Sequence, residues 1–215
     1  MIKFERTDIV GWAAAIRGMR NPMNSWEKSD SECEFGQVFH IGKNDWDLMN
    51  RLRNAGTDHR KFMRMITVYV DITAPLYWFK EFDTYKVGTV ANSCSTMHKI
   101  ADKKFRFSDF SHEHIGNVPN KDVSYYRALD YTIMVLNDAR QKYLETHDKA
   151  YWWQMIQLLP TSYNQKRTVM LNYEVLANIY KSRNNHKLDE WRDFCNWIEK
   201  LPHSELITGN IKEAK

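Results

Sequence analysis

The sequence is poor in residues that interrupt regular structure and in residues that form covalent cross-links. It has only 8 glycines, 5 prolines and 3 cysteines among 215 residues. No linker, repeat or low-complexity tract divides the chain, so we expect one domain over residues 1–205 and a flexible tail over residues 206–215. Cys33, Cys94 and Cys195 lie far apart, and an odd number of cysteines cannot all pair within the chain. This favours a reducing, cytoplasmic setting.

Long apolar runs and dense charge of one sign are also missing. No run approaches the roughly 18 apolar residues of a membrane span. The net charge of +4 comes from 31 basic and 27 acidic residues dispersed along the chain. We therefore expect no membrane association, and we see no strong signal for nucleic-acid binding. Hydrophobic residues make up 43% of the chain, which allows a sizeable core and excludes general disorder.

Several motifs that identify enzyme classes are absent as well. The chain has neither G-x-G-x-x-G nor G-x-x-x-x-G-K-[ST], which excludes a Rossmann fingerprint and a P-loop, and it has no G-x-S-x-G elbow. The only spacings that resemble metal ligands are His112-x-His114 beside Glu113, and Cys94 with His98. Neither includes the second ligand pair of a zinc site, so we predict no metal.

The hydrophobic pattern predicts an α+β domain with a mainly helical C-terminal half. Residues 66–72 (ITVYVDI) are rich in β-branched side chains and predict a strand. An early helix is expected over residues 9–19, capped by Thr7 or Asp8. Further helices are expected over residues 44–54, 76–85, 122–146, 151–158, 165–183 and 188–200.

Two polar segments are candidates for binding an anion. The run Asn92-Ser93-Cys94-Ser95-Thr96 offers hydroxyl and backbone N–H groups that either hold a phosphate or cap a helix. Cys94 would act as a nucleophile only with a base such as His98 within reach. Lys166 and Arg167 open the helix expected from residue 165, where cations oppose the helix dipole. An anionic partner and a solvated face are both open for them.

Two longer segments resemble the flavin-dependent thymidylate synthase (ThyX) family. The first is ITVYVDITAPLYWFKEFDTYKVGTVANSCSTMH, residues 66–98, where the family has a strand, an aromatic helix carrying Arg-His-Arg, and then a serine. The second is LPTSYNQKRTVMLNYEVLANIYKSRNNHKLDEW, residues 159–191, which is similar to the family's Leu-Pro turn followed by an Asn-containing helix that ends in Arg. Together they cover about a third of the chain. The runs GMRNPMNSW and EFDTYKVG are similar to those of phage-type members.

The resemblance implies a ThyX-like fold with a small antiparallel sheet. The family's enzymes bind FAD and dUMP at the interfaces of a homotetramer and methylate the base with a folate carbon and NADPH as reductant. Because the reduced flavin carries the chemistry, the resemblance implies that no side chain of the chain acts as a nucleophile, and it leaves the catalytic residues open. The location that it implies is the cytoplasm of a bacterial or phage-infected cell.

On the substrate side the correspondence is incomplete. The Arg-His-Arg triplet falls on Thr84-Tyr85-Lys86, so one cation remains. The motif serine corresponds to Ser95 after one inserted residue, and the glutamate and arginine around it are replaced by Ser93 and Met97. The substrate-phosphate arginine after the Leu-Pro turn falls on Lys166. The implied substrate site consists of Lys86, Ser93, Cys94, Ser95, Lys166 and Arg167.

On the cofactor side the family's histidine pair appears as His59 and Met65, so the second, flavin-contacting histidine is missing. The Asn-x-Arg at the end of the helix reads Lys181-Ser182-Arg183. The implied contacts with FAD are His59, Tyr85 and Arg183. Lys86 keeps a charge without the bidentate geometry of arginine, so the site would still bind a nucleotide while flavin chemistry is weakened.

Three functions follow as alternatives. The first is a divergent flavin-dependent methylase that acts on dUMP or a related pyrimidine nucleotide. The second is a non-catalytic protein on the same scaffold that binds or sequesters a nucleotide. The third is a structural or interaction module that uses aromatic surface, since aromatic residues make up 13% of the chain.

Overall fold

A computed structural model of the protein describes residues 2–34, 37–116 and 124–209. Six strands are present in this part of the chain: β1 (Lys3–Val10), β2 (Glu32–Glu34), β3 (Gln37–His40), β4 (Thr67–Pro75), β5 (Val90–Ser93) and β6 (Asn164–Asn172). The α-helices are α1 (Trp12–Arg20), α2 (Lys43–Asn54), α3 (Leu76–Phe82), α4 (Thr96–Lys99), α5 (Tyr125–Thr146), α6 (Lys149–Leu158), α7 (Tyr173–Arg183), α8 (Asp189–Ile198) and α9 (Glu205–Thr208). Short 3-10 turns cover Asn21–Met23, Trp26–Lys28, Arg60–Met65 and Phe107–Asp109.

The main sheet has four antiparallel strands in the order β1-β4-β6-β5, and β2 pairs with β3 in a separate hairpin. The strand predicted over residues 66–72 is confirmed as β4, where Val68, Val70 and Ile72 are buried. A small antiparallel sheet combined with a mainly helical C-terminal half confirms the predicted α+β class.

Packing divides the chain into two compact units. Unit 1 comprises residues 1–3, 72–83 and 92–167, and unit 2 comprises residues 4–71, 84–91 and 168–215. Each strand of the main sheet contributes residues to both units.

The core of unit 1 lies under the hairpin formed by α5 and α6. Apolar residues of α5 recur at helical intervals and meet Met155 of α6, which is fully buried, together with aromatic side chains from the preceding loop. The buried members are Ile100, Ala101, Phe105, Phe110, Leu129, Ile133, Leu136, Ala139 and Met155.

Aromatic rings provide several of the contacts in the core of unit 2. Trp12 of α1 meets Tyr173 of α7 edge-on with ring centroids 5.2 Å apart. Trp191 and Phe194 of α8 are fully buried and lie 5.8 Å apart. Burial raises the pKa of Tyr173, whose hydroxyl donates to the carbonyl of Pro202 at 2.5 Å. The high aromatic content therefore serves packing to a large extent.

The helix predicted over residues 165–183 is wrong in its first half. Residues 164–172 form β6, and helix α7 begins at Tyr173 after Asn172, whose side chain accepts a hydrogen bond from the amide of Val175 at 3.0 Å. Gln165, Val169 and Leu171 are buried, which is the period-two pattern of a strand. The sequence of this run is compatible with both a helix and a strand, and pairing with the neighbouring strands of the sheet selects the strand.

The helix predicted over residues 9–19 starts later than expected. Strand β1 continues to Val10, and Gly11, with φ of 97°, makes the turn into α1. A Cβ atom at Gly11 would lie 2.0 Å from the carbonyl oxygen of Met65, so only glycine fits. Thr7 and Asp8 are therefore strand residues and do not cap this helix.

The ends of two other predicted segments fall partly outside the described residues. Residues 122 and 123 of the predicted long helix are among these, and α5 is described from Tyr125. Helix α9 buries Leu206 and Ile207, so the first residues of the predicted tail belong to the packed structure.

None of the described helices combines the length and the apolar character that a membrane span needs.

Candidate functional site

The serine-rich turn lies directly beside the segment that follows the Leu-Pro turn. The amide of Cys94 donates to the carbonyl of Lys166 at 2.9 Å, and the side chain of Gln165 donates back to the carbonyl of Cys94 at 2.7 Å. Ser93 ends β5 and Lys166 lies on β6, so strand pairing brings the two segments together. The structure thus places Ser93, Cys94 and Ser95 next to Lys166 within unit 1.

The Ser95 hydroxyl caps the short helix α4. Its Oγ accepts a hydrogen bond from the amide of His98 at 3.0 Å, which is the capping alternative that the sequence left open. The hydroxyl can still donate its own proton to a ligand. Ser93 and Cys94 are exposed.

The two cations of β6 lie on different faces of the strand. Successive side chains of a strand point to opposite faces, so Lys166 and Arg167 do not converge on one ligand as the sequence had suggested. Since they lie on a strand, the argument from an unfavourable helix dipole does not apply to them. Lys166 is half-buried.

Arg167 is fixed by three neighbours in unit 1. Its guanidinium lies 3.9 Å above the ring of Phe79, its Nη1 donates to Asp83 Oδ1 at 2.7 Å, and its Nε donates to Gln165 Oε1 at 2.9 Å. The side chain is only 13% exposed. The side chain of Gln165 also donates to the carbonyl of Cys94. A continuous chain of hydrogen bonds therefore runs from Asp83 through Arg167 and Gln165 to the serine turn. Arg167 therefore positions the turn.

Two of the three residues predicted to contact the cofactor, Tyr85 and Arg183, form a second cluster within unit 2. Arg183 is the last residue of α7, and its Nε donates to the phenol oxygen of Tyr85 at 2.9 Å. The same guanidinium lies 4.7 Å above the buried ring of Trp191 and 5.7 Å from the ring of Tyr85. Lys86 is exposed beside Tyr85. The structure therefore brings Tyr85 and Arg183 together.

His59 lies apart from these residues in sequence, at the start of the 3-10 turn Arg60–Met65. It lines a groove of ≈ 920 Å³ in unit 2, together with Met19, Phe62 and Met65. The two positions that correspond to the family's histidine pair, His59 and Met65, thus open into the same space. The volume and the largely apolar lining suit a planar ring system.

One buried carboxylate next to this groove connects α7 to the turn Arg60–Met65. Glu174 in the first turn of α7 accepts hydrogen bonds from Arg64 and, at 3.4 Å, from Arg60. The Glu174 side chain is nearly buried, so this carboxylate needs its two cations.

Four residues that shape these clusters were missed in the sequence: Phe79, Asp83, Gln165 and Trp191. Asp83 and Phe79 lie far from Arg167 along the chain, and no spacing rule connects them. Treating residues 164–172 as a strand with alternating buried positions would have identified Gln165 as a buried residue. Trp191 fits the apolar stripe of α8, and a stripe does not distinguish a core ring from one that supports an arginine.

Of the histidines with metal-like spacing, His112 is held by contacts with its neighbours in the chain. His112 Nδ1 lies 2.7 Å from the carbonyl oxygen of Phe110, and its ring contacts that of Phe107 edge-on at 4.9 Å. Among the residues that the structure describes, no group of three or more His, Cys, Asp or Glu side chains could hold a metal ion.

Comparison with solved structures identifies the fold. Thymidylate synthase X (ThyX) from Helicobacter pylori, crystallised with FAD and dUMP, has a TM-score of 0.69 at 16% identity and covers 99% of this chain and 100% of its own. A second structure of flavin-dependent ThyX from Helicobacter pylori, also complexed with FAD and dUMP, has a TM-score of 0.66 at 17% identity over 96% of both chains. The chain therefore has the fold of the flavin-dependent thymidylate synthases over nearly its whole length.

A related protein with another substrate range shares this fold. The UMP/dUMP methylase PolB from Streptomyces cacaoi, bound with 5-Br UMP, has a TM-score of 0.62 at 14% identity and covers 97% of this chain and 94% of its own. No model of a protein family matches the sequence, and no curated protein matches it. The likeness is one of fold, at low sequence identity.

Proposed function

We propose that the protein is a divergent member of the ThyX family that binds a pyrimidine mononucleotide of the dUMP type. The observation that carries this proposal is the backbone pairing of Cys94 with Lys166, which sets the serine turn beside the main chain of a lysine. The proposal is supported by the fold, since the similar structures contain dUMP or 5-Br UMP.

The roles of the substrate residues follow from their chemistry. The ammonium of Lys166 and the hydroxyls of Ser93 and Ser95 would donate to the phosphate. Charge-assisted hydrogen bonds of this kind contribute about 1.5–3 kcal/mol each. Arg167 would act indirectly, because its contacts with Asp83 and Gln165 fix the turn.

The residues of unit 2 fit FAD in part. Arg183, stacked on Trp191 and bonded to Tyr85, offers a fixed cation and an aromatic surface, and the groove at His59 offers apolar space. A bound flavin would supply the reducing equivalents for methyl transfer to the base. Tyr85, Arg183 and His59 would bind and orient it.

The alternative is a nucleotide binder or sequestering protein without catalysis. Two observations favour it: Met65 stands where the family has its second histidine, and the guanidinium of Arg167 is already paired with Asp83. Lys166 and the serine turn are present in either case. Both functions therefore require nucleotide binding, and only the methylase also requires a bound flavin.

Calorimetry with dUMP tests the shared part of the proposal. We expect Lys166→Gln to weaken dUMP binding about tenfold or more, because a charge-assisted contact to phosphate is lost. Lys103→Gln, an exposed lysine of the same unit, is the matched control and leaves the affinity unchanged. An absence of binding to dUMP, UMP and dTMP would remove both functions.

The visible absorption spectrum distinguishes the two functions. Protein reconstituted with FAD and freed of excess cofactor shows a flavin band if the methylase proposal is correct. A protein that binds dUMP but remains colourless is the sequestering form.

We further propose a homotetramer in the cytoplasm of a bacterial or phage-infected cell. The family resemblance and the odd cysteine count support this assignment. Light scattering of the purified protein checks the assembly, and a monomeric mass would contradict it.

A further inference from the structure

Unit 1 contains a cavity at the junction of α4 with the α5–α6 hairpin. Its volume is ≈ 480 Å³, within the range of small-molecule sites. It is lined by Met97, His98, Ile100, Ala101, Tyr143, His147, Lys149 and Trp152. None of these residues belongs to the proposed dUMP or flavin clusters.

Aromatic and apolar groups form one part of this cavity. The indole N–H of Trp152 donates to the carbonyl of Met97 at 3.0 Å, which fixes the ring and leaves its carbon surface for contact with a ligand. Ile100 and Ala101 are nearly buried and provide an apolar floor. Tyr143 adds a second ring, 6.2 Å from that of His147. This lining favours a planar apolar group.

The remaining lining residues are basic. The ammonium of Lys149 lies 5.9 Å from the ring centroid of Trp152 and 5.8 Å from that of Trp153, and His98 and His147 complete the rim. No aspartate or glutamate is among the described residues that line the cavity. Asp148 is adjacent in sequence, but its carboxylate caps α6 by accepting from the amide of Ala150 at 2.8 Å.

We propose that this cavity is a second ligand site, which takes a mononucleotide. The base would stack against Trp152, and Lys149 with the two histidines would bind the phosphate. Stacking on an aromatic side chain tolerates any base because every base has a π-face, so purines are accepted as well as pyrimidines. The proposal does not depend on dUMP binding at Lys166.

Calorimetric titration of the full chain with AMP tests the proposal, with adenosine and inorganic phosphate titrated separately. We expect AMP to bind more tightly than either part. Lys149→Gln weakens AMP binding about tenfold, and Trp152→Leu weakens it at least about fivefold. Lys142→Gln is the matched control, since Lys142 pairs with Asp138 on α5 and lies outside the cavity lining. Lys166→Gln leaves AMP binding unchanged.

A second variant guards against loss of folding. Trp152→Phe keeps an aromatic face and retains AMP binding within a few-fold, while the AMP-dependent quenching of tryptophan fluorescence decreases. Three results would overturn the proposal: no AMP binding, AMP binding that Lys149→Gln and Trp152→Leu do not weaken, or phosphate binding as tight as that of AMP.

Discussion

Arg183 and Tyr85, ninety-eight positions apart in sequence, are joined by a hydrogen bond of 2.9 Å from Nε to the phenol oxygen. The bond orients a guanidinium that also stacks on Trp191. In the resemblance, Tyr85 occupies the place of a histidine, and its observed contact is with the arginine that the same resemblance assigns to FAD. In this chain the phenol oxygen of Tyr85 therefore helps to fix the guanidinium of Arg183.

Replacing the tyrosine tests this relationship. Tyr85→Phe keeps the ring near Arg183 and removes only the accepting hydroxyl. We expect FAD binding, followed by fluorescence quenching, to weaken about threefold to tenfold, since one hydrogen bond contributes about 0.5–1.5 kcal/mol. Tyr131→Phe on α5, where the residue is 64% exposed, is the control. Equal FAD affinity in wild type and Tyr85→Phe would show that this bond does not support a cofactor site.

Arg167 should behave as a structural residue. We expect Arg167→Gln to lower the free energy of unfolding by about 2 kcal/mol, because it loses the contact with Phe79 and bonds to Gln165 and Asp83. Asp83→Asn removes only a half-exposed partner and costs less than about 1 kcal/mol. Urea denaturation measures both. Arg192→Gln, at an exposed ion pair with Asp189, should cost little, and a loss as large as that of Arg167→Gln would refute the distinction.

A buried ion pair in unit 2 makes stability depend on pH. Asp45 accepts from Arg20 Nε at 2.6 Å and from the hydroxyls of Ser29 and Ser31 at 2.8 and 2.6 Å. Burial alone would raise the pKa of Asp45, but these hydrogen bonds hold it below the ordinary value. The contribution of Asp45 to stability is thus present above the unfolded-chain pKa of about 3.9 and is lost as the pH falls through the lower folded value.

Asp45→Asn should lower the free energy of unfolding at neutral pH by about 3–5 kcal/mol, because Arg20 is left buried with its charge uncompensated. Denaturation at a series of pH values should show the difference from wild type shrinking below about pH 4. Asp47→Asn, at an exposed position of the same helix, serves as the control. A difference that stays constant down to strongly acidic pH would contradict this account.

Sequence reasoning succeeded where a single local pattern decides the structure. The β-branched run of β4 and the apolar period of α5 are unambiguous, and both elements are present. Only the family resemblance assigned Tyr85 and Arg183 to the same cofactor, and their hydrogen bond was not predicted, because no local pattern connects positions so far apart.

Prediction from the sequence failed where contacts between distant segments of the chain determine the structure. The run NQKRTVMLN allows a helical or an extended reading, and pairing in the sheet selects the strand. That choice also separates Lys166 from Arg167, which a helix would have kept on overlapping faces. The chain from Asp83 to Cys94 depends on residues brought together only by folding.

The most direct test of nucleotide binding at the serine turn uses Cys94. This thiol is exposed, whereas burial raises the pKa of the Cys195 thiol to about 11 and keeps it unreactive. Iodoacetamide labelling of the native protein, followed by mass spectrometry of the Cys94 peptide, is compared with and without saturating dUMP. If the nucleotide binds between the serine turn and Lys166, dUMP slows the labelling of Cys94, and Lys166→Gln removes that protection at the same dUMP concentration. Labelling of Cys94 at the same rate with and without dUMP would contradict the central claim.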